Sequence, residues 1–252
     1  MQPPRHRAPQ GVASAVVIQH LIALFLIVIA PIWEHFATER LKASKESRLK
    51  IAYYRTMVIV GWLTSVIALV AVGWRAILTF SRDSANVSWL PQHSGSRTFV
   101  AGVLAGLLLV IALSALQARR SAAIQEKMEK ALLQFSFILP LTGAERTWWI
   151  FVCLTAGITE EILYRGFLIH YFFSAPFHAA LAVAVLVSCV IFGAGHLSQG
   201  IAGVIFSAIL ALILSAIFLM TGNLLLPMIL HALIDLRILL ILRPQPQLAT
   251  EA

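Results

Sequence analysis

Charged residues are scarce in this chain: they make up 12% of its 252 residues, whereas 60% are hydrophobic. The mean hydropathy of +0.87 lies well outside the composition of soluble globular domains. A soluble domain would not bury that many apolar residues in its core. The scarcity of charge therefore excludes an ordinary soluble domain and indicates a protein that is solvated by lipid.

Cysteine is also rare, with Cys153 and Cys189 as the two in the chain. Both lie within apolar runs, which argues against a disulfide framework or a cysteine metal site and indicates small packing residues. The sequence has no internal repeat of solenoid period and no low-complexity tract. The simplest organisation is one membrane domain between polar tails, which we expect to be disordered, at residues 1–10 and 244–252.

Long apolar runs are abundant, and each predicts a membrane-spanning helix, because about 20 apolar residues in helical form cross a bilayer. We predict an all-α, polytopic membrane protein with seven or eight such helices. The apolar segment 131–141 is too short to cross alone, so it is either a re-entrant or interfacial piece or part of an eighth span. The seven predicted spans are residues 12–33, 54–74, 99–116, 148–173, 179–196, 201–220 and 224–242.

The formal net charge of +8 resides in loops between the apolar runs and forms no groove-reading motif, which excludes nucleic acid as a partner. Loops 34–55 and 117–147 are rich in Lys and Arg, and the positive-inside rule places both in the cytoplasm. The N-terminus is then outside and the C-terminus inside. A signal peptide would explain Arg5 and Arg7, but the apolar run after them is long for one.

Ionisable residues occur in three clusters within the later apolar runs, and ionisable groups inside a bilayer mark functional sites by default, since their insertion costs roughly 2.5 to 3.5 kcal/mol each. The first three spans contain almost none. The clusters are residues 159–166 with Glu160, Glu161 and Arg165, residues 192–196 with His196, and residues 231–235 with His231 and Asp235.

Helical spacing separates the two glutamates. Glu161 and Arg165 are four residues apart, which puts them on one helix face within pairing distance. Glu160 lies about 100° further round the helix and is left free of that pair. Glu160 is therefore the better candidate for a general base, while a purely structural Glu161–Arg165 pair that holds helices together remains an equal alternative.

The two histidines differ in their surroundings. His196 follows Gly193 and Gly195, small residues that allow a helix or a substrate backbone to approach closely. His231 and Asp235 are four residues apart, and an Asp can orient a histidine through its ring N–H for catalysis or for metal binding. The alternatives are a histidine that only packs and a structural His–Asp pair.

In combination, these motifs resemble the CAAX protease and bacteriocin-processing (CPBP, or Abi) family. The resemblance covers residues 148–243, and the first three spans add no motif to it. It rests on three motifs: a paired Glu with an Arg four residues later, an aromatic-x-x-x-His, and a His-x-x-x-Asn/Asp in a later span. The first is carried by Glu160, Glu161 and Arg165, the second by Phe192 and His196, and the third by His231 and Asp235, with Asn223 and Pro227 before them.

The resemblance implies an intramembrane endopeptidase that cleaves CAAX-like, prenylated or leader-type peptides associated with the membrane. It implies that Glu160 and His196 activate water, that His231 helps to bind the oxyanion, and that Glu161, Arg165 and Phe192 support the site. Asp235 departs from the Asn of many members, and an ionised Asp cannot donate to an oxyanion. We expect residues 148–243 to form the catalytic region, residues 11–147 to supply N-terminal helices and basic loops, and the site to open toward the cytoplasm of a cell-membrane protein.

Metal dependence stays open in the sequence. Glu160, His196, His231 and Asp235 are chemically a plausible Zn²⁺ set, but the His-Glu-x-x-His pattern of zinc proteases is missing. We favour a glutamate mechanism with no cofactor. A non-proteolytic reading also remains, in which a transporter or bacteriocin-immunity-type protein uses the buried Glu and His groups to bind protons or peptide.

Overall fold

The computed structural model describes residues 10–44, 46–81, 97–174 and 176–242. The predicted C-terminal tail 244–252, Arg243, and all but the last residue of the predicted tail 1–10 lie outside these ranges. Within them the chain is helical, with one isolated bridge between Thr79 and Asn223, so the all-α prediction is confirmed.

π-helical turns interrupt two of the helical stretches. The π turns are Phe25–Ile29, between α1 and α2, and Glu161–Leu168, between α7 and α8, and a 3₁₀ turn covers Leu197–Gln199. The helices are α1 (Gln10–Leu24), α2 (Ala30–Ala43), α3 (Ser47–Val72), α4 (Trp74–Leu78), α5 (Arg97–Arg120), α6 (Ala122–Leu133), α7 (Gly143–Glu160), α8 (Ile169–Phe173), α9 (Leu181–Ala194), α10 (Gly200–Thr221), α11 (Leu225–Leu236) and α12 (Ile238–Ile241).

Membrane-spanning character is clear in part of the predicted set. In the described ranges, three helical stretches are long and apolar enough to cross a membrane, namely Ser14–Ala43, Ser47–Val72 and Leu197–Thr221. Shorter apolar helices cover Thr98–Leu113 and Leu181–Ala194. The membrane class is thus confirmed, but the count of seven or eight spans is not. One reason is length: α11 has 12 residues, about 18 Å of helix, which is less than a bilayer core of about 30 Å.

The segment 131–141 does not form an eighth span. It contains the end of α6 and then a series of turns before α7 begins at Gly143. Backbone in turns leaves amides and carbonyls that lipid cannot satisfy. The hydroxyl of Tyr54 and the amine of Lys50 bind carbonyls of this segment, those of Ile138, Ser136 and Leu139. The turns are therefore held against α3 by polar contacts.

A capping box starts α7 at the end of these turns. The Thr142 hydroxyl accepts from the Glu145 amide, and the Glu145 carboxylate accepts from the Thr142 amide. Burial raises the pKa of Glu145, but bonds from the Leu141 amide and the Ser47 hydroxyl, the charge of Lys50 and the Thr142 amide together outweigh burial and lower that pKa. The first turn of α7 is thus held against α3 by polar contacts of Glu145.

The core lies around the second π turn, whose side chains pack against α1, α4, α9 and α10. Its most completely buried members include Phe167, Leu168 and Ile77. Large apolar side chains on the outer faces are exposed, as for Val70 at 81% and Ile201 at 70%. Such contiguous apolar exposure fits lipid and not water.

Helices α7 and α11 cross closely at Gly157. A Cβ placed on Gly157 would lie 2.7 Å from the Cβ and 2.8 Å from the amide nitrogen of Ala232. Ala232 follows His231, so this crossing sets the distance between the glutamates at the end of α7, Glu160 and Glu161, and the histidine of α11. Glycine is required here because any side chain would push the two helices apart.

Gly157→Ala is expected to lower the free energy of unfolding by about 1–3 kcal/mol through overpacking, and to reduce any activity that needs His231 beside Glu160. Gly106→Ala is the matched control, since nothing lies within 4 Å of a Cβ at that exposed helical position. Thermal unfolding of both variants in detergent checks the expectation. Equal stability of the two variants would contradict it.

Candidate active site

Glu160 and Glu161 lie where α7 changes into a π turn. Glu160 is the last residue of α7, and Glu161 begins the π segment that also contains Arg165. A π turn changes the backbone pairing, and side chains of other helices bind two carbonyls here. The Ser65 hydroxyl donates to the carbonyl of Thr159 (3.3 Å), and the Ser188 hydroxyl donates to that of Tyr164 (2.7 Å). π bulges occur frequently at functional sites.

His231 lies between the two glutamates. Its Nδ1 is 2.7 Å from Oε1 of Glu161, and its Nε2 is 3.7 Å from Oε2 of Glu160. Asp235, one helical turn along α11, has Oδ2 3.6 Å from the same Nε2. A carboxylate only accepts, so Nδ1 carries the proton that is shared with Glu161. The group that orients His231 through Nδ1 is therefore Glu161, and Asp235 lies on the other side of the ring.

Arg165 is buried beside this network. Nη1 of Arg165 is 2.9 Å from Oε1 of Glu161, which is the ion pair that their spacing predicted. The side chain of Arg165 is 1% exposed. Its guanidinium carbon lies 4.5 Å from the ring centroid of Phe192. The carboxylate and the aromatic ring reduce the cost of burying the charge, while none of the three guanidinium nitrogens has a hydrogen-bond partner among the described residues. Glu161 thus connects Arg165 to His231.

His196 follows the end of α9 and contacts Phe192 in two ways. Its Nδ1 is 2.9 Å from the carbonyl oxygen of Phe192, and the two ring centroids are 4.8 Å apart. The carbonyl accepts, so Nδ1 donates and Nε2 of the neutral ring is left as an acceptor. Gly193 allows α9 to approach α10, because a Cβ there would lie 2.8 Å from the carbonyl of Val204.

A cavity of about 180 Å³ brings Glu160 and His196 together. Phe192 and Tyr164 also line this cavity, which we call the Glu160 cavity. Its described lining does not include His231 or Asp235, which lie behind Glu160. The site residues predicted from sequence therefore form two layers, one that faces the cavity and one that supports it.

The N-terminal helices supply a wall of the Glu160 cavity that the sequence motifs did not identify. Glu34 of α2 and Tyr53 of α3 both line it, and the Tyr53 hydroxyl donates to the Glu34 carboxylate at 2.6 and 2.7 Å. Glu34 falls in a predicted loop, but α2 continues to Ala43. In the sequence, a single charged residue near the end of an apolar run does not by itself indicate a functional site.

The residues proposed as a Zn²⁺ set come from three separate segments: Glu160 from α7, His196 from the turn after α9, and His231 and Asp235 from α11. In the described part of the chain, no group of three or more His, Cys, Asp or Glu side chains is arranged to hold a metal ion. His231 uses Nδ1 for Glu161, and His196 uses Nδ1 for a backbone carbonyl. These bonds leave Nε2 of each ring for other partners, and Nε2 of His231 lies 3.7 Å from Oε2 of Glu160 and 3.6 Å from Oδ2 of Asp235.

Part of the chain matches a known protein family. Residues 142–237 match the family described as Type II CAAX prenyl endopeptidase Rce1-like. The matched range includes all of Glu160, His196, His231 and Asp235. No curated protein and no solved structure matches the chain. The match confirms the resemblance that the spacing of the motifs indicated.

Proposed function

From residues 142–237, which place this chain in the CAAX protease and bacteriocin-processing family, we propose that it hydrolyses a peptide bond of a membrane-associated substrate with water activated by Glu160 and His196. The match of residues 142–237 supports the activity of a CAAX-type intramembrane protease. The observation that carries the proposed mechanism is that a carboxylate and an imidazole acceptor share one cavity within the helices.

Glu160 is the proposed general base. An ionised carboxylate beside water accepts one of its protons while the oxygen attacks the carbonyl carbon of the substrate. The C–N bond of the resulting tetrahedral intermediate then breaks, and the same proton passes from Glu160 to the leaving nitrogen. His196, with Nε2 as an acceptor, binds the other hydrogen of the water and fixes its direction.

His231 is proposed to position Glu160. Nδ1 of His231 binds Glu161, and Nε2 lies 3.7 Å from Glu160 and 3.6 Å from Asp235. We expect the two longer distances to shorten when the ring is protonated and Nε2 donates. Glu161 and Arg165 in turn fix the ring of His231. This division assigns Glu160 and His196 to the reacting atoms, and His231 and Asp235 to their support.

The substrate is proposed to be a CAAX-like, prenylated or leader-type peptide that enters from the bilayer. The lining of the Glu160 cavity is largely apolar, with Phe25, Met57 and Leu163 among its members. Residues 148–243 would supply the chemistry and residues 11–147 the opposite wall. We further propose that the protein resides in the cell membrane and that the cavity opens to the cytoplasm, as the basic loops indicate.

Cleavage by purified protein in liposomes tests this proposal. A farnesylated CAAX peptide, the same peptide without the lipid, and a leader-type apolar peptide are offered in parallel, and products are identified by mass spectrometry. We expect internal cleavage of at least one membrane-bound peptide, and loss of cleavage in His196→Ala. A wild-type protein that binds these peptides but cuts none, or a His196→Ala variant that cuts at the wild-type rate, would contradict the proposal.

The same assay separates the two catalytic types. A chelator should leave the rate unchanged if Glu160 acts without a metal. Loss of activity in the chelator that added Zn²⁺ restores would replace the glutamate mechanism with a zinc mechanism.

A further inference from the structure

The hydroxyl of Tyr164 is an uncommitted hydrogen-bond donor in the Glu160 cavity. Tyr164 lies four residues after Glu160, in the π turn, and lines the cavity with Glu160 and His196. No hydrogen-bond partner for this hydroxyl occurs in the described ranges of the chain. The hydroxyl oxygen is 3.9 Å from the position of a Cβ on Gly195, the residue that precedes His196. The phenol is therefore next to the predicted catalytic histidine.

The ring of Tyr164 is held in place. It packs edge-on against Phe192, with ring centroids 5.0 Å apart and an interplanar angle of 85°. Its backbone carbonyl accepts from the Ser188 hydroxyl at 2.7 Å. Phe192 also contacts His196, so one aromatic ring positions both the phenol and the imidazole. A donor that is fixed before the substrate binds needs no reorganisation during the reaction.

The proposed hydrolysis requires a donor of this kind. When water attacks the peptide carbonyl, its oxygen becomes negative, and hydrogen bonds to that oxygen are a large part of catalysis. The cavity's other tyrosine, Tyr53, already donates to Glu34, and Thr159 donates to the carbonyl of Thr155. Glu34 and Glu160 only accept when ionised.

The cations of the site are less suited to this role. Arg165 is 1% exposed and pairs with Glu161, and it is not among the described residues that line the Glu160 cavity. His231 lies behind Glu160, with carboxylates facing both of its ring nitrogens. Gln199 and Trp33 also line the cavity and carry N–H groups that can donate, so both are competing candidates.

We propose that the Tyr164 hydroxyl donates a hydrogen bond to the carbonyl oxygen of the scissile bond and stabilises the negative charge on it. The inference rests on the proposed function, since it needs peptide hydrolysis at Glu160. Tyr164 keeps its proton throughout, while the proton taken from water travels through Glu160 to the leaving nitrogen. Tyr164 is thus a catalytic residue without being an acid or a base.

Tyr164→Phe removes the donor and keeps the ring against Phe192. We expect kcat to fall about a hundredfold, as for loss of one oxyanion donor, with little change in KM and in the thermal midpoint. Tyr171→Phe is the matched control: the Tyr171 hydroxyl binds His20 at 2.7 Å and is not part of the described cavity lining, so kcat should stay at the wild-type value. Separate variants test the two competing donors.

Replacing Tyr164 by difluorotyrosine gives a readout that packing alone would not change. Fluorine makes the phenol more acidic, and a phenolate cannot donate. The alkaline limb of the kcat profile should therefore move to lower pH, with the fold unaltered. This substitution keeps the test valid if Tyr164→Phe fails to fold.

The outcomes separate this inference from the proposed function. Cleavage by wild-type protein, with kcat unchanged in Tyr164→Phe and no movement of the pH profile with difluorotyrosine, would overturn the role of Tyr164 and leave the protease intact. A large loss of kcat in Gln199→Leu or Trp33→Phe alone would give that role to the residue replaced. Absence of cleavage by wild-type protein would instead remove the proposed function.

Discussion

Glu160→Gln is expected to reduce peptide cleavage by about a hundred- to ten-thousand-fold, the range that a general base contributes. The amide keeps the size of the carboxylate but cannot accept the proton of the attacking water. Glu160 has no Lys or Arg within ion-pair distance in the described ranges, and its nearest charged partner is His231 at 3.7 Å. The folded structure should therefore survive the substitution. Steady-state cleavage in liposomes and thermal unfolding in detergent measure the two effects separately.

Glu39→Gln is the control for Glu160→Gln. Glu39 is an exposed carboxylate that pairs with Lys42 at 2.8 Å and is absent from the described lining of the Glu160 cavity. Its variant should cleave at the wild-type rate. If Glu160→Gln cleaved as fast as Glu39→Gln, the assignment of Glu160 as the base would be wrong, whatever the effect of His196→Ala.

Glu161→Gln is expected to destabilise the protein by about 3–5 kcal/mol, the cost of leaving a buried charge without its partner. The guanidinium of Arg165, 1% exposed, would lose the carboxylate that lies 2.9 Å away. The Nδ1 proton of His231 would then meet a neutral amide oxygen in place of a charged carboxylate, which is a weaker acceptor. Activity should fall as well, because His231 would be held less firmly beside Glu160. Unfolding in detergent mixtures measures the stability change.

Two comparisons isolate the cause of that loss. Glu126→Gln breaks an exposed Glu126–Lys130 pair of 2.7 Å, and exposed pairs of this kind contribute about 0–1 kcal/mol. Glu161→Leu combined with Arg165→Met removes both buried charges, so it should be more stable than Glu161→Gln. A Glu161→Gln protein that unfolds like the Glu126→Gln protein would show that the buried pair contributes little.

The alternative of a purely structural Glu161–Arg165 pair is addressed by the same variants. If the pair only holds helices together, the double replacement should restore both stability and activity. If the pair orients His231, stability should recover while cleavage stays low. The separation of the two readouts decides between the roles.

Several features followed from the sequence because they depend on local spacing or on total composition. Scarcity of charge and long apolar runs specify helices in lipid, since a bilayer leaves the backbone few other ways to pair its polar groups. The Glu161–Arg165 contact follows from a separation of four residues on one helix. The order of the motifs identified the family that residues 142–237 match.

Other features depend on which helices pack together, and sequence spacing contains no information about that. Glu161, not Asp235, binds Nδ1 of His231, because the crossing of α7 and α11 at Gly157 brings two distant segments into contact. Glu34 and Tyr53 join the cavity only because α3 packs beside α7 and α2 packs against α3 and the 3₁₀ turn Leu197–Gln199. At the π turn that starts at Glu161, hydroxyls of Ser65 from α3 and Ser188 from α9 donate to backbone carbonyls of Thr159 and Tyr164.

The paired glutamates show the division most clearly. Local geometry on one helix separated Glu160 from the Glu161–Arg165 pair, because residues one apart lie about 100° round an α-helix. Only the tertiary structure decided that both carboxylates contact the same imidazole, at 2.7 and 3.7 Å, from opposite sides of its ring. A helix determines the direction of its own side chains, but the position of the partner that they meet is determined by the packing of other helices against it.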